Sequence, residues 1–360
     1  MTITFLLPGP GNKPIGGAKV VYEYANRLVN DGYTVNIAYP TLMLPKEMSL
    51  FNVFIRVLRY FYYIVMNKYK CSSWFSLDDK INEKWVWTLS EKCIPKSDVV
   101  IATSWRTAVY LNEYKNTKSK FYLIQGYENW DNYDEKRLIE TWKYPIVKIV
   151  IAPWLQEIGK KLGEETNLVE NGFNFDYFKL SNKIETRNPN NLCMLYHKNE
   201  NKGISDGFAA IEIARQKYPQ ITLNLFGVPS KPKNLPDWVN YYQKPNREEF
   251  NNLYNQSAIY VAPSHTEGLC LTVGEAMQCG CAVACTDIGG YTVLCCNEKN
   301  ALVSPVKNPS ALANNIIRLI EDQSLKNAIA KNGNENIRRF TWESAYFKFK
   351  NILERESNGK

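Results

Sequence analysis

The chain has 360 residues, of which 45% are hydrophobic and 22% are charged, and its formal net charge is +8. This length is too great for one typical domain and comfortable for two, and the composition excludes a globally disordered chain. The basic charge suits an anionic ligand or an anionic membrane surface, and because the sequence shows no nucleic-acid motif we expect no nucleic-acid partner.

Short apolar runs alternate with helical patterns along the whole chain. One predicted helix spans residues 18–30, where apolar side chains recur along one face. The predicted strands are residues 3–7, 35–39, 99–102, 121–124, 146–152, 192–196, 221–226, 259–262 and 282–286. Because these runs are continuously apolar rather than alternating, they favour parallel sheets covered on both faces. The pattern predicts an α/β protein.

A polar, turn-rich stretch at residues 171–189 marks the predicted boundary between two domains. We expect an N-terminal domain at residues 1–170, a second domain at 171–340 and an aromatic-rich helical segment at 341–360. The chain opens on a predicted core strand rather than on a signal-peptide pattern, so we expect a cytoplasmic location. No apolar run reaches the roughly 18 uncharged residues that a membrane span requires.

The first loop, residues 8–17, contains several glycines and prolines and leads into the predicted helix. Gly16 and Gly17 would let the backbone approach a ligand closely at the helix N-terminus. The loop lacks the third glycine of a dinucleotide-binding fingerprint, which disfavours NAD. A plain strand-to-helix turn is the alternative interpretation.

Residues 53–66 form an apolar stretch that carries basic residues within it and around it. From 46 to 70 the acid Glu47 stands against five basic residues, which are Lys46, Arg56, Arg59, Lys68 and Lys70. The stretch can be a helix packed on the sheet, with its arginines reaching to solvent. It can equally be a helix that lies on an anionic membrane leaflet.

The composition argues against a metal or a bound cofactor. Six of the nine cysteines fall between Cys270 and Cys296, but their spacing lacks the CxxC pattern of a zinc site and suits cysteines that pack as small hydrophobes. The chain has two histidines and no Asp-x-Asp sequence. We therefore expect neither a metal nor a cofactor.

Two glutamates in residues 266–286 are the most informative feature of the sequence. Glu267 lies in a loop before a predicted helix, and Glu275 lies about one turn inside that helix. The loop can hold one carboxylate near a sugar, the free N–H groups of Leu271, Thr272 and Val273 can bind a phosphate, and the second carboxylate can accept from a ribose hydroxyl. Two unconnected surface acids are the alternative.

This segment, with Gly268, the helix after it and the buried strand at 282–286, resembles the donor-binding signature of the retaining GT-B glycosyltransferases of family 4. The resemblance implies two Rossmann-like domains with parallel sheets facing a cleft, and a last helix that crosses back to the first domain. It also implies transfer of a sugar from a nucleotide diphosphate with retention of configuration and without a metal.

The resemblance assigns roles to further residues. Lys202, just before Gly203, matches the lysine that neutralises the donor diphosphate, although a Lys-Gly pair alone is usually a solvated turn. Gly16 and Gly17 match glycines that line the donor phosphate and the acceptor side of the cleft. Two positions depart from the family pattern: His197 stands where an arginine is usual, and Gln125 stands where a cleft histidine is usual. Gln125 can only hydrogen-bond a sugar hydroxyl or the backbone.

The resemblance therefore predicts a metal-independent hexosyltransferase that uses a nucleotide-sugar substrate and a glycan or lipid-linked acceptor, in cell-surface polysaccharide synthesis. Glu267, Lys202 and Gln125 are the predicted catalytic group. Residues 104–108 with 122–128 look like a rhamnosyltransferase branch. Two alternatives stay open: a catalytically silent partner subunit, and a sugar-nucleotide epimerase, which would need acid and base residues of its own.

Overall fold

The computed structural model describes residues 1–44, 49–128 and 134–358, so the predicted membrane-facing Lys46 and its neighbour Glu47 lie outside the described residues. The chain divides into two compact units. The first comprises residues 1–171 together with 343–360, and the second comprises residues 172–342.

The first unit is built on a seven-stranded parallel sheet with helices on it. Its strands, in chain order, are β1 Thr2–Leu6, β2 Thr34–Pro40, β3 Asn82–Val86, β4 Val99–Ala102, β5 Ser119–Ile124, β6 Val147–Val150 and β7 Asn167–Leu168. Their spatial order is β3-β2-β1-β4-β5-β6-β7. Its helices are α1 Gly16–Asn30, α2 Leu50–Met66, α3 Trp105–Asn112, α4 Glu135–Trp142, α5 Pro153–Lys161 and α11 Trp342–Asn358, of which Trp342 lies in the second unit.

The second unit repeats the design with six parallel strands. These are β8 Asn191–Tyr196, β9 Thr222–Gly227, β10 Val239–Gln243, β11 Ile259–Ala262, β12 Ala282–Thr286 and β13 Leu302–Ser304, in the spatial order β10-β9-β8-β11-β12-β13. Its helices are α6 Ile204–Lys217, α7 Arg247–Gln256, α8 Leu271–Gln278, α9 Pro309–Glu321 and α10 Gln323–Ile337.

These two sheets confirm the predicted fold class. The central strands β4 and β11 are buried along their whole length, as continuously apolar sequences require. The chain order reverses between β1 and β4 in the first sheet and between β8 and β11 in the second. In open parallel sheets ligands bind outside the carboxyl ends of the strands at such a reversal, which directs attention to those two edges.

The last helix, α11, packs within the first unit. Phe349 is fully buried and stacks on Tyr24 with ring centroids 4.1 Å apart. Lys350 and Tyr346 both donate to the Asp31 carboxylate, at 2.6 and 2.8 Å. The aromatic residues of this segment therefore anchor the C-terminal helix on α1 and the turn that follows it.

Helix α2 presents most of its apolar side chains to solvent. Ser49 caps it, and the side that contacts the rest of the unit includes Tyr60 and Tyr63, which pack edge-on or tilted against Trp87 and Trp85. On the outer side Leu50 is 87% exposed and Val65 is 76% exposed. In the described part of the chain no helix is long and apolar enough to cross a bilayer.

Candidate functional site

A lysine at the carboxyl end of β8 begins the candidate site. Lys202 ends a short turn in which the Asn199 side chain accepts from the Asn201 N–H at 2.9 Å. Gly203 follows at φ +61°, and a Cβ there would lie 2.0 Å from the Pro263 carbonyl oxygen. Only glycine fits this close, left-handed position, so the Lys-Gly sequence fixes both the turn and the start of α6.

Lys202 and Glu267 form a close ion pair. The Lys202 Nζ donates to both carboxylate oxygens, at 2.7 and 2.8 Å, and the two side chains are 25% and 11% exposed. Burial opposes the charge on Lys202, but the negative charge and hydrogen bonds of Glu267 outweigh it and raise the pKa of the ammonium. An ammonium has three N–H donors, so these two bonds leave the third for a ligand.

The loop that carries Glu267 is held from several sides. Ser264 donates its hydroxyl to Glu267 Oε1 at 2.9 Å, and Thr286, at the end of β12, donates to the Ser264 carbonyl oxygen. A Cβ at Gly290 would lie 2.5 Å from the Glu267 carbonyl oxygen, so a glycine lets that neighbouring loop approach closely. The carboxylate is therefore pre-positioned before any ligand binds.

His197 is close enough to this pair to respond to its charges. The Asn199 N–H donates to His197 Nδ1 at 2.9 Å, which leaves Nε2 as the protonated nitrogen of the neutral ring. Burial lowers the pKa of His197, and the positive charge of Lys202 lowers it further. At neutral pH His197 can therefore donate one hydrogen bond but does not supply the fixed positive charge of an arginine.

The start of α8 provides a second polar feature. Cys270 precedes the helix, and no side chain caps its first turn. Leu271 and Thr272 are partly exposed, whereas Val273 is completely buried. Of the three residues expected to offer N–H groups, the first two thus lie nearest to solvent. The helix dipole adds partial positive charge at this end, so the turn is suited to an anion.

Glu275 lies one turn inside α8 and is only 5% exposed. The Tyr254 hydroxyl, from α7, is within 3.5 Å of Glu275 Oε2 and within 3.3 Å of the Thr272 carbonyl oxygen. Tyr254 is fully buried, and burial raises its pKa well above the ordinary value, so its hydroxyl stays protonated as a donor. Both glutamates of the motif are therefore oriented by neighbours of their own.

Sequence reasoning missed a second, partly buried pair beside this site. His265 Nε2 lies 2.7 Å from Asp206 Oδ2 in the first turn of α6. The His265 N–H also donates to the Asn201 carbonyl oxygen at 2.7 Å. These contacts connect the loop after β11 to the turn that carries Lys202. From the sequence alone, His265 could be interpreted as a residue of the loop wall and nothing more. No spacing in the sequence links Asp206 to His265.

In the first unit, Gln125 lies against the glycines at the start of α1. Its Nε2 donates to the Gly17 carbonyl oxygen at 3.1 Å, so this side chain binds backbone. A Cβ on Gly17 would come within 3.4 Å of the same atom, and Gly16 beside it is exposed. Gln125 therefore fixes the glycine turn, and its remaining polar atom is the amide oxygen.

A partly buried acid, Glu128, follows Gln125 in the same loop. Glu128 Oε1 accepts from the Trp105 N–H at 3.1 Å, at the first residue of α3. Burial raises the pKa of Glu128 to about 8, although the Trp105 hydrogen bond and the charge of Arg106 act in the opposite direction. At neutral pH this carboxyl group is therefore mostly protonated and uncharged.

Comparison with known proteins supports the sequence resemblance. Residues 178–336, within the second unit, match the family model for glycosyl transferases group 1. The capsular polysaccharide biosynthesis glycosyltransferase CapM of Staphylococcus aureus is 25% identical over 53% of this chain and 55% of its own. The N,N'-diacetylbacillosaminyl-diphospho-undecaprenol alpha-1,3-N-acetylgalactosaminyltransferase of Campylobacter jejuni is 34% identical over 24% of this chain and 23% of its own.

These findings support a group 1 glycosyltransferase. The matched stretch spans between 23% and 55% of those two relatives. An uncharacterized glycosyltransferase of Methanocaldococcus jannaschii, MJ1178, is 25% identical over 35% of this chain and 36% of its own. The chain thus matches about a quarter to a half of the length of its curated relatives.

Solved structures agree on the fold over the whole chain. Sucrose-phosphate synthase from Thermosynechococcus elongatus gives a TM-score of 0.73 at 17% identity and covers 100% of both chains. Anabaena HepE in complex with UDP and glucose gives 0.72 at 16% identity, over 98% of this chain and 99% of its own. These likenesses confirm the fold class, which is two Rossmann-like units of the GT-B type.

Proposed function

We propose that this protein is a retaining glycosyltransferase that takes its sugar from a nucleotide diphosphate. The observation that carries the proposal is the Lys202–Glu267 pair, at 2.7 Å, in the same unit as the uncapped start of α8 and the oriented Glu275. A cation, an anion-binding helix start and two fixed carboxylates are the groups that a sugar diphosphate requires. A solvated Lys-Gly turn needs none of them.

In the proposed reaction each group of the second unit has one task. Lys202 and the N–H groups of Leu271 and Thr272 stabilise the negative charge that grows on the diphosphate as its bond to the sugar C1 breaks. Glu267 holds sugar hydroxyls, and Glu275 accepts from the ribose. The acceptor oxygen bonds to C1 on the face that the diphosphate leaves, and the acceptor proton passes to a diphosphate oxygen, so configuration is retained.

The first unit supplies the acceptor side in this proposal. Gly16, Gly17 and Gln125 form a compact backbone turn at the carboxyl edge of its sheet, where an acceptor hydroxyl can hydrogen-bond to the Gln125 amide oxygen. CapM, to which the chain is similar, is named for capsular polysaccharide biosynthesis. We therefore propose a glycan or lipid-linked acceptor in cell-surface polysaccharide synthesis.

We also propose that α2 attaches the protein peripherally to an anionic membrane surface from the cytoplasmic side. The apolar side chains that α2 exposes include Leu50, Phe51, Phe54, Leu58 and Val65, each more than half exposed. Arg56, Arg59, Lys68 and Lys70 accompany them, and each cation near an anionic leaflet contributes about 1 kcal/mol that salt screens. Binding to anionic vesicles should fall steeply with salt and in Arg56→Glu/Arg59→Glu; indifference to such vesicles at low salt would exclude attachment.

The donor is tested by ligand-induced stabilisation. HepE, a structural neighbour, was solved with UDP-glucose, so UDP and UDP-sugars come first in a panel of nucleotide sugars. A donor that binds only the folded protein raises the melting temperature. Slow hydrolysis of that donor, followed by anomeric analysis of the released sugar, then separates a retaining transferase from a silent subunit, which would hydrolyse nothing. Failure of every nucleotide sugar to bind would exclude the proposal.

A further inference from the structure

Two arginines of the first unit, Arg56 and Arg106, lie near the carboxyl edge of its sheet. Arg56 lies on the inner side of α2, and its guanidinium donates to the Thr41 carbonyl oxygen, just after β2, at 3.2 Å. Within the described part of the chain, Arg56 and Arg106 have no carboxylate at salt-bridge distance. Arg56 is therefore a partly buried cation in the middle of α2, and no described carboxylate lies close enough to neutralise it.

Arg106 approaches the same region from α3. It lies in the first turn of that helix, directly after β4, and its guanidinium carbon is 5.2 Å from the Trp105 ring centroid. Strands β2 and β4 flank β1, so their carboxyl ends are about 10 Å apart, a gap that two arginine side chains can span. Burial lowers the pKa of Arg56, and the positive charges of Arg59 and Arg106 lower it further.

The nearest acid does not cancel this charge. Glu128 interacts with Arg106, but burial raises its pKa to about 8, so its carboxyl group is mostly neutral at physiological pH. Two guanidinium groups held near each other without an anion are unfavourable, and an anionic ligand would relieve that repulsion. Guanidinium groups also match the oxygens of a phosphate better than any other side chain does.

We propose that Arg56 and Arg106 bind the phosphate group of a lipid acceptor that α2 meets at the membrane surface. The apolar outer side of α2 then contacts the hydrocarbon chain of one amphiphile, and Arg56 on the inner side of α2, together with Arg106 of α3, contacts its phosphorylated headgroup. This inference rests on the proposed transferase function and narrows its acceptor to a lipid that carries a phosphomonoester or diphosphate. The inference gives the three arginines different roles. Arg56 and Arg106 contact the phosphate, whereas Arg59 only adds to the local positive charge.

The test compares three single variants of equal charge, Arg56→Gln, Arg106→Gln and Arg59→Gln. Each is titrated with vesicles that contain phosphatidic acid, which exposes a phosphomonoester, and with phosphatidylglycerol vesicles of matched surface charge. The wild-type protein should prefer phosphatidic acid. Arg56→Gln and Arg106→Gln should lose that preference by about tenfold, since each removes charge-assisted hydrogen bonds. Arg59→Gln should weaken both titrations alike and keep the preference.

Two outcomes would overturn the inference. Equal losses in all three variants would show general attraction to the leaflet. Binding of soluble pyrophosphate in the absence of vesicles, lost in Arg56→Gln and Arg106→Gln, would show a site for a free anion rather than for a lipid.

Melting temperatures separate a binding role from a folding role. Removing a half-buried charge that no described carboxylate neutralises should leave the melting temperature of Arg56→Gln unchanged or raised. A large drop would show that Arg56 is structural. Calorimetry with the panel of nucleotide sugars gives an independent measurement, because failure of every member to bind would refute the transferase and not the lipid site.

Discussion

The carboxyl edges of the two sheets use charge in opposite ways. In the second unit Lys202 is matched by Glu267 and Glu275 is oriented by Tyr254, so these three charged groups have partners before a ligand binds. In the first unit the positive charges of Arg56 and Arg106 are close enough to interact, and the raised pKa of Glu128 leaves that carboxyl group mostly uncharged. The same α/β scaffold thus carries one edge whose charged groups are preorganised and one edge whose two arginines have no carboxylate at salt-bridge distance among the described residues.

The difference has an energetic consequence. A preorganised ion pair keeps its geometry without ligand, so it can stabilise a transition state without a cost of rearrangement. The charges of Arg56 and Arg106 would instead be neutralised by a bound anion. Removal of either arginine should therefore affect ligand binding more than it affects folding stability. Under the proposed function, the first edge therefore suits recognition of the phosphorylated acceptor, and the second edge suits catalysis at the donor diphosphate.

The largest expected effect comes from removing the matched cation. Lys202→Ala should lower turnover by about a hundredfold to a thousandfold, the usual loss when one group that stabilises developing negative charge is deleted. It also leaves the Glu267 carboxylate, 11% exposed, without its counter-ion. Steady-state kinetics with the identified donor measure the effect, and Lys198→Ala, a nearby exposed lysine, is the control. Turnover within a few-fold of wild type would remove Lys202 from the reaction.

Glu275→Ala should come next and act on binding. A hydrogen bond from a charged group contributes roughly 1.5–3 kcal/mol, so nucleotide affinity should fall about tenfold to a hundredfold. Glu275→Gln, which keeps the shape of the side chain beside Tyr254, should lose less. Calorimetry with the nucleotide reports the change, and unchanged affinity in the alanine variant would refute the ribose contact.

The residues grouped at the second edge could be found from the sequence more readily than those at the first edge, for a physical reason. The second site is local: Glu267, the helix start and Glu275 fall within nine consecutive residues, so their spacing carries the geometry. Strands such as β4 and β11 were likewise visible as apolar runs, whereas the missed β3 and β10 are more polar along their length. The Arg56–Arg106 cluster joins residues 50 positions apart, and Asp206–His265 joins residues 59 apart. Such pairs arise only when parallel strands bring distant loops together.

Glu128 gives a smaller effect, visible in stability. Its pKa is raised from about 4.5 to about 8, so folding favours the protonated form. The stabilisation is complete below a pH near 4.5 and is lost as pH rises through about 8, by about 1–3 kcal/mol after allowance for partial exposure. Glu128→Gln, which imitates the protonated acid, should unfold in urea with a flatter pH dependence over this range. If the free energy of unfolding of the two proteins depends on pH in the same way, the pKa of Glu128 is not raised by folding.

The smallest expected effect is that of a chelator, for which we predict no loss of activity. Lys202 and the start of α8 provide the positive charge that a diphosphate needs, and the sequence has no Asp-x-Asp to anchor a divalent ion. Turnover should therefore be the same in EDTA and in magnesium. In Lys202→Ala, magnesium should restore part of the lost rate, because a soluble cation can then stand in for the missing ammonium. If the wild-type enzyme loses all activity in EDTA and regains it with magnesium or manganese, the matched pair of the second unit is not what neutralises the leaving group.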